Sequence, residues 1–169
     1  LNPIDREIYL KGKYENDQIN YLIKKIKENE IKYFIDIGAH MGFYSMKISK
    51  NNIETYAFEP IYNNFKQLNE NKNLNKLNNI KFFNFALSNI EQDVEMWVPD
   101  KNKTGGYSIY DVNDREINNY NPKKINKIKT NSKIGDNILK IRDKKIAEKI
   151  VVERHELKVL EGLNEFFKN

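Results

Sequence analysis

Residues 34–45 read FIDIGAHMGFYS, a short apolar run that reaches an acid at Asp36 and meets glycine at 38 and again at 42. Few local structures fit such a segment. An apolar run of this length reads as a buried strand. Two glycines directly after it let the backbone turn sharply, with no side chain between the main chain and a neighbour. Strand, glycine turn and helix in this order belong to sheets whose ligands bind at the carboxyl ends of the strands. The segment therefore predicts a ligand site around Asp36, Gly38 and Gly42. Asp36 is the expected acceptor for a ligand amine or a bound water. His40 reads as a loop residue near the ligand and not as a metal ligand.

The flanking pattern repeats this alternation. Ile19, Leu22, Ile23 and Ile26 form one apolar helical stripe within 17–30. Apolar, β-rich runs at 31–37, 53–58 and 80–87 read as strands, and 42–50 and 61–73 as helices. Pro60 suits the first turn of the second helix, with Phe65 and Leu68 on its inner face. Such alternation implies an α/β fold with a mostly parallel sheet, wound right-handedly and flanked by helices. Segment 93–99 reads as an edge strand ended by proline. Segment 100–122 is polar and glycine-containing, and is expected to be a long mobile loop over the substrate face. A strand pattern returns at 125–130, a short helix is expected near 136–141, and 145–153 ends in another strand. A closing helix over 156–167 is expected to bury Leu157, Leu160, Leu163, Phe166 and Phe167. The 169 residues suit one domain: an N-terminal helix at 17–30, a core over 31–153 and the C-terminal helix.

Glu59 ends the second strand, about 20 residues beyond Gly38. An acid at that distance holds the ribose in nucleotide-binding folds, where its two oxygens accept from both hydroxyls. The glycine turn and Glu59-Pro60 together predict an adenosine-containing cofactor. The turn reads G-A-H-M-G, with two glycines where the dinucleotide fingerprint G-x-G-x-x-G has three, and no P-loop occurs. An acid just before the first glycine suits a cofactor with an amino-acid end and no phosphate. S-adenosylmethionine meets both conditions and is favoured over NAD.

Composition narrows the partners. There is no cysteine, which excludes disulfides and thiolate metal sites, and the two histidines, His40 and His155, are far apart in sequence. No metal is expected. No stretch approaches the roughly 18 to 20 apolar residues of a membrane span. No signal peptide is visible, so the cytoplasm is the expected compartment. The net charge is +5, but the lysines are scattered among acids and accompanied by abundant asparagine and isoleucine. That is the mark of an A/T-rich genome, and nucleic acid is not an expected partner.

Four stretches resemble the FkbM family of S-adenosylmethionine-dependent methyltransferases. DIGAHMGFYS resembles its cofactor loop, with His40 where the family usually has asparagine. AFEPIYNNFKQLNENKNLN, residues 57–75, is similar to its ribose-binding strand and following helix. NFALSN, residues 84–89, resembles the segment after the third strand. KIVVERHELKVLEGL, residues 149–163, resembles the lysine-rich strand and the acidic motif after it. The resemblance implies a Rossmann-like class I methyltransferase fold. It places Asp36, Gly38 and Gly42 at the methionine end, Glu59 at the ribose, and Asn84 and Ala86 near the adenine. It implies a small-molecule or glycan methyl acceptor, mostly a sugar hydroxyl. It also implies strands beyond the closing helix, so the chain reads as truncated at its C-terminus. The exposed edge beside the fourth strand is then expected to be covered by a partner subunit.

A sugar hydroxyl is a poor nucleophile and calls for a general base or a metal, though no full set of metal ligands can be read. His155, Glu153 and Glu156, just past the fourth strand, are the candidates, and His155 has the most useful intrinsic pKa. Trp97, Tyr107 and Tyr110 are expected to serve packing. Two departures from the family bear on catalysis. Val151 stands where the family has aspartate, and Arg154 where it has glycine. Arg154 is expected either to crowd the acceptor site or, pointing outward, to force the turn to be remodelled. Weak or absent methyl transfer with cofactor binding kept is the expected result. A cofactor-binding module without catalysis is therefore the alternative, with an NAD-dependent oxidoreductase behind it.

Overall fold

The computed structural model describes residues 6–7, 10–11, 14–98, 105–110, 126–141 and 145–168. Helix α1 (Asn16–Glu28) precedes β1 (Tyr33–Ile37), α2 (Phe43–Ser49), β2 (Glu54–Phe58), α3 (Tyr62–Leu74) and β3 (Ile80–Phe83). There follow β4 (Ala86–Ser88), β5 (Gln92–Val98), β6 (Asn126–Ile134), α4 (Gly135–Ile138), β7 (Ile146–Ile150), α5 (Glu156–Glu161) and α6 (Asn164–Lys168).

Four strands form a parallel sheet in the order β3-β2-β1-β7. The winding runs outward from β1 through β2 to β3, and β7 then joins the other side of β1. The strand order reverses between β1 and β7, and a crevice opens at such a reversal. This is a Rossmann-like arrangement, as the alternation of apolar strands and amphipathic helices requires. β7 is the last strand of the sheet among the described residues.

Two expectations need correction, and the edge strand holds in a second sheet. The run 80–87 is not one strand. It breaks at Asn84 and Phe85, and β4 leaves the first sheet for a second one, ordered β4-β6-β5. The strand expected at 93–99 is β5, antiparallel to β6 in that second sheet. The closing helix is also interrupted. Gly162 lies so close to β4 that a Cβ on it would stand 2.0 Å from the Ser88 carbonyl oxygen. The break rotates the inward face onto Val159 and Leu163, both 0% exposed, while Leu157, Leu160 and Phe167 are exposed. Of the loop expected over 100–122, only 105–110 lies within the described residues.

The core follows from the strands. Ile35, Ile37 and Phe58 pack with Leu87, Leu139, Val159 and Leu163 on one side of the sheet. Ala39, Met46, Ala57, Leu68 and Ile80 form a second cluster, and Ile26, Phe34, Ile48 and Ile53 a third beneath α1. Burying each large apolar side chain contributes about 1.5–3 kcal/mol, which holds the sheet ends rigid around the crevice.

Candidate functional site

The turn after β1 is held by main-chain bonds from both neighbours. Gly38 N and Ala39 N donate to Phe58 O, each at 3.0 Å, and Val151 N donates to Ile37 O at 3.0 Å. Gly38 has φ 78°, and a Cβ there would lie 2.0 Å from Val151 O. Glycine is needed because β7 runs directly against the turn. Gly42 (φ 80°) packs instead on Leu68 and Met46, where a Cβ would stand 2.9 Å from Leu68 Cγ. Gly38 borders the cavity described below, and Gly42 does not. The second glycine serves the packing of α2 against α3.

Asp36 is 0% exposed. Its Oδ1 accepts from Lys149 Nζ at 2.9 Å and its Oδ2 from Ser45 Oγ at 2.6 Å. Lys149 also donates to Gly38 O at 3.2 Å. Register explains the pair: Asp36 and Lys149 are partners on adjacent parallel strands, so their side chains share a face. The sequence reading placed Asp36 against the ligand. In the structure Asp36 does not border the cavity, and Lys149 does. A buried carboxylate keeps its charge only when paired, and here each oxygen has one partner.

Glu59 is buried at the end of β2. Its Oε2 accepts from His40 N at 2.8 Å. Its Oε1 accepts from Ile61 N at 2.9 Å and Asn64 Nδ2 at 3.4 Å. The carboxylate thus ties the glycine loop to the start of α3, and His40 takes φ 54° in that loop. Burial pushes the Glu59 pKa up to about 7, against the pull of those donors. Two carboxylate oxygens offer about four acceptor positions. Three are taken, which leaves one direct bond for a ligand hydroxyl. Asn84 braces the same corner, donating to Glu59 O at 2.9 Å and Pro60 O at 3.2 Å. It does not border the cavity, whereas Ala86 and Pro60 do.

The cavity measures about 1010 Å³, at the upper end of the roughly 300–1,000 Å³ of small-molecule sites. Its floor is the turn after β1 and the ends of β2 and β7. Tyr14 and Glu15 close it on one side, and Tyr107 and Ile109 of the described 105–110 segment close it on another. That segment is tied down by the Trp97–Ser108 bridge and by Ser108 Oγ donating to Glu153 O at 3.2 Å.

The residues after β7 differ in their placement. Val151 borders the cavity and is 55% exposed, with no polar group to offer there. Glu153 and His155 also border it; Glu156 and Arg154 do not. Glu156 Oε1 accepts from Val152 N at 3.1 Å. His155 has both ring nitrogens engaged: Nδ1 lies 3.1 Å from the Tyr110 hydroxyl and Nε2 3.0 Å from Ser88 Oγ. Ser88 Oγ donates onward to Asn89 Oδ1 at 3.3 Å, so Nε2–H is the donor and Nδ1 the acceptor from Tyr110. Burial lowers the His155 pKa, consistent with a neutral ring. Tyr110 is thus a hydrogen-bonding partner as well as a packing residue. Arg154 is exposed and keeps φ 76°, after Glu153 at φ 53°. Glu153 and Arg154 both carry a conformation that side-chain-bearing residues adopt only at a cost.

The sequence reading gave no role to Lys149, Ser45 or Asn64. A lone lysine inside the apolar strand KIVV, opposite a strand ending in aspartate, was the available signal for the ion pair. Ser45 and Asn64 carry no such signal. Among the described residues no three His, Cys, Asp or Glu side chains stand together to hold a metal, and no helix is long and apolar enough to cross a membrane.

Fold and site together define a Rossmann-like domain with a ligand cavity at the reversal of strand order. No protein family and no curated protein matches the chain. Among solved structures it is similar to a SAM-dependent methyltransferase from Agrobacterium tumefaciens, at 12% identity and TM-score 0.40, over 43% of this chain and 24% of that one. It is also similar to TYW2 from M. jannaschii in complex with AdoMet, at 28% identity and TM-score 0.31, over 36% of this chain and 31% of that one. A third is the Pyrococcus abyssi tRNA (uracil-54, C5)-methyltransferase with S-adenosyl-L-homocysteine, at 18% identity and TM-score 0.33, over 39% and 17%. In each case the match spans less than a third of the solved chain.

Proposed function

We propose that the chain binds S-adenosylmethionine in this cavity and is a methyltransferase of the FkbM type, acting in the cytoplasm on a hydroxyl of a sugar or another small molecule. One observation carries the reading. The glycine turn and the Glu59 carboxylate stand side by side on one cavity wall, with Glu59 oriented by the N–H of His40 in the loop and of Ile61 before α3. Glu59 has one acceptor position left for a ribose hydroxyl, and the glycine loop beside it carries no phosphate-binding fingerprint. The cofactor supplies an activated methyl group; this chain's residues orient it and exclude water.

Proton removal from the acceptor falls to Glu153, which borders the cavity beside Val151. His155 takes that part only after Tyr110 releases Nδ1, and its lowered pKa weakens it as a base. A second reading rests on Val151 and Arg154: the chain binds the cofactor with little or no transfer. Incubation with methyl-labelled S-adenosylmethionine and a panel of sugar and small-molecule alcohols separates the two. Label transfer that falls at least tenfold in Glu153→Gln supports the enzyme. Binding with no transfer to any acceptor supports the binding module. No binding at all refutes both.

A further inference from the structure

An adenosyl amino acid carries an ammonium and a carboxylate at its far end, and a site recognises an ammonium with an anion or with uncharged acceptors. Asp36 cannot supply that anion. It is fully buried and does not border the cavity, and its two bonds, from Lys149 and Ser45, hold it beneath the cavity wall.

Glu15 is placed differently. It stands just before α1, N-terminal to the whole glycine-loop region, yet it borders the same cavity as Lys149 and Tyr44. Its Oε2 accepts from the Tyr44 hydroxyl at 2.7 Å. Lys149 Nζ lies 5.3 Å from the centroid of the Tyr44 ring. One aromatic ring therefore has a cation over its face and an anion at its hydroxyl, all on one cavity wall. Lys149 gives two N–H groups to Asp36 and Gly38 and has a third. The Glu15 backbone sits at φ 47°, a conformation that side-chain-bearing residues adopt only at a cost. Burial and Glu15 raise the pKa of Tyr44, so its hydroxyl stays a donor.

We infer that Glu15 binds the ammonium and Lys149 the carboxylate of the ligand's amino-acid end, which lies along Tyr44, and that Asp36 acts only by fixing Lys149. The inference rests on the adenosyl ligand proposed above. It gives the segment before α1 a direct part in recognition.

The test is calorimetric titration of the full chain with three ligands. S-adenosylhomocysteine has both charges, its decarboxylated analogue has the amine alone, and 5′-methylthioadenosine has neither. In the wild type the first should bind about tenfold more tightly than the second, the worth of one charge-assisted contact. Glu15→Gln keeps an oxygen to accept from Tyr44 and removes the charge. It should weaken both amine-bearing ligands about tenfold, leave 5′-methylthioadenosine within about twofold, and leave the thermal midpoint unchanged. A merely structural tie between Glu15 and Tyr44 would survive that change and leave all three affinities alone, which would overturn the inference. Equal loss for all three ligands would overturn it too. Should the variant fail to fold, the wild-type ladder decides: equal affinity for the three ligands refutes a charged amino-acid subsite. If the wild type binds none of them, the adenosyl reading itself falls and the inference with it.

Discussion

Glu59→Gln isolates the cost of keeping a charged group under the glycine loop. The Glu59 pKa is raised to about 7 by burial, from an ordinary 4.5. A carboxyl whose pKa is raised on folding binds more protons in the folded state than in the unfolded one between those two values. Folded stability therefore falls as pH rises through that window, and the loss is complete above about pH 7. The full shift corresponds to about 3 kcal/mol, and about 2.5 kcal/mol of it develops between pH 5 and pH 8. Glutamine cannot ionise. His40 N and Ile61 N both donate to this group, so the glutamine amide nitrogen leaves one of them without an acceptor and the variant starts below the wild type near pH 5. Between pH 5 and pH 8 the stability difference should move in the variant's favour by about 2.5 kcal/mol. Urea unfolding followed by the fluorescence of Trp97, the single tryptophan, reads this directly at several pH values. Other groups, His155 included, titrate alike in both proteins and cancel in the difference. Parallel stability curves across pH 5–8 would refute the buried, raised carboxyl.

Lys149→Met strands the buried Asp36 charge and should cost about 3–5 kcal/mol, most of it recovered in the double variant with Asp36→Asn; a urea double-mutant cycle measures the coupling. Arg154→Gly should raise stability by about 1 kcal/mol in thermal unfolding, because glycine accepts φ 76° without strain. Gly38→Ala should destabilise by about 3 kcal/mol or more, since a Cβ would meet Val151 O at 2.0 Å in a backbone region that disfavours it; equilibrium unfolding checks it. Affinity for S-adenosylhomocysteine should rise as pH is raised from 5 to 7, because a ribose hydroxyl donates best to ionised Glu59, and the Glu59→Gln variant should lose that dependence in the same titration.

The sheet was legible because its signal is periodic. Apolar runs of strand length, each followed by a helix start, leave little choice but a parallel sheet, and Gly38 marks the place where its order reverses. Asp36 was legible as the acid that ends β1, but its pairing with Lys149 was not. Its neighbour on β7 lies more than a hundred residues away in the chain, and spacing along one strand cannot report a partner on another. Glu59 was singled out by its distance from Gly38, but the His40 and Ile61 N–H groups that hold it leave no trace in side-chain identity. The closing helix failed for a related reason. Its apolar residues suit a continuous helix, and only the Ser88 carbonyl pressed against Gly162 shows why it breaks. Glu15 lay outside every motif, and the fold alone brings it to the cavity.

Isothermal titration of the purified chain with S-adenosylhomocysteine, with NAD as the competing ligand, tests the central claim most directly. The account predicts one binding event per chain for the adenosyl compound, abolished or strongly weakened in Glu59→Ala, and no heat with NAD. Saturable binding of NAD with no response to S-adenosylhomocysteine would contradict it.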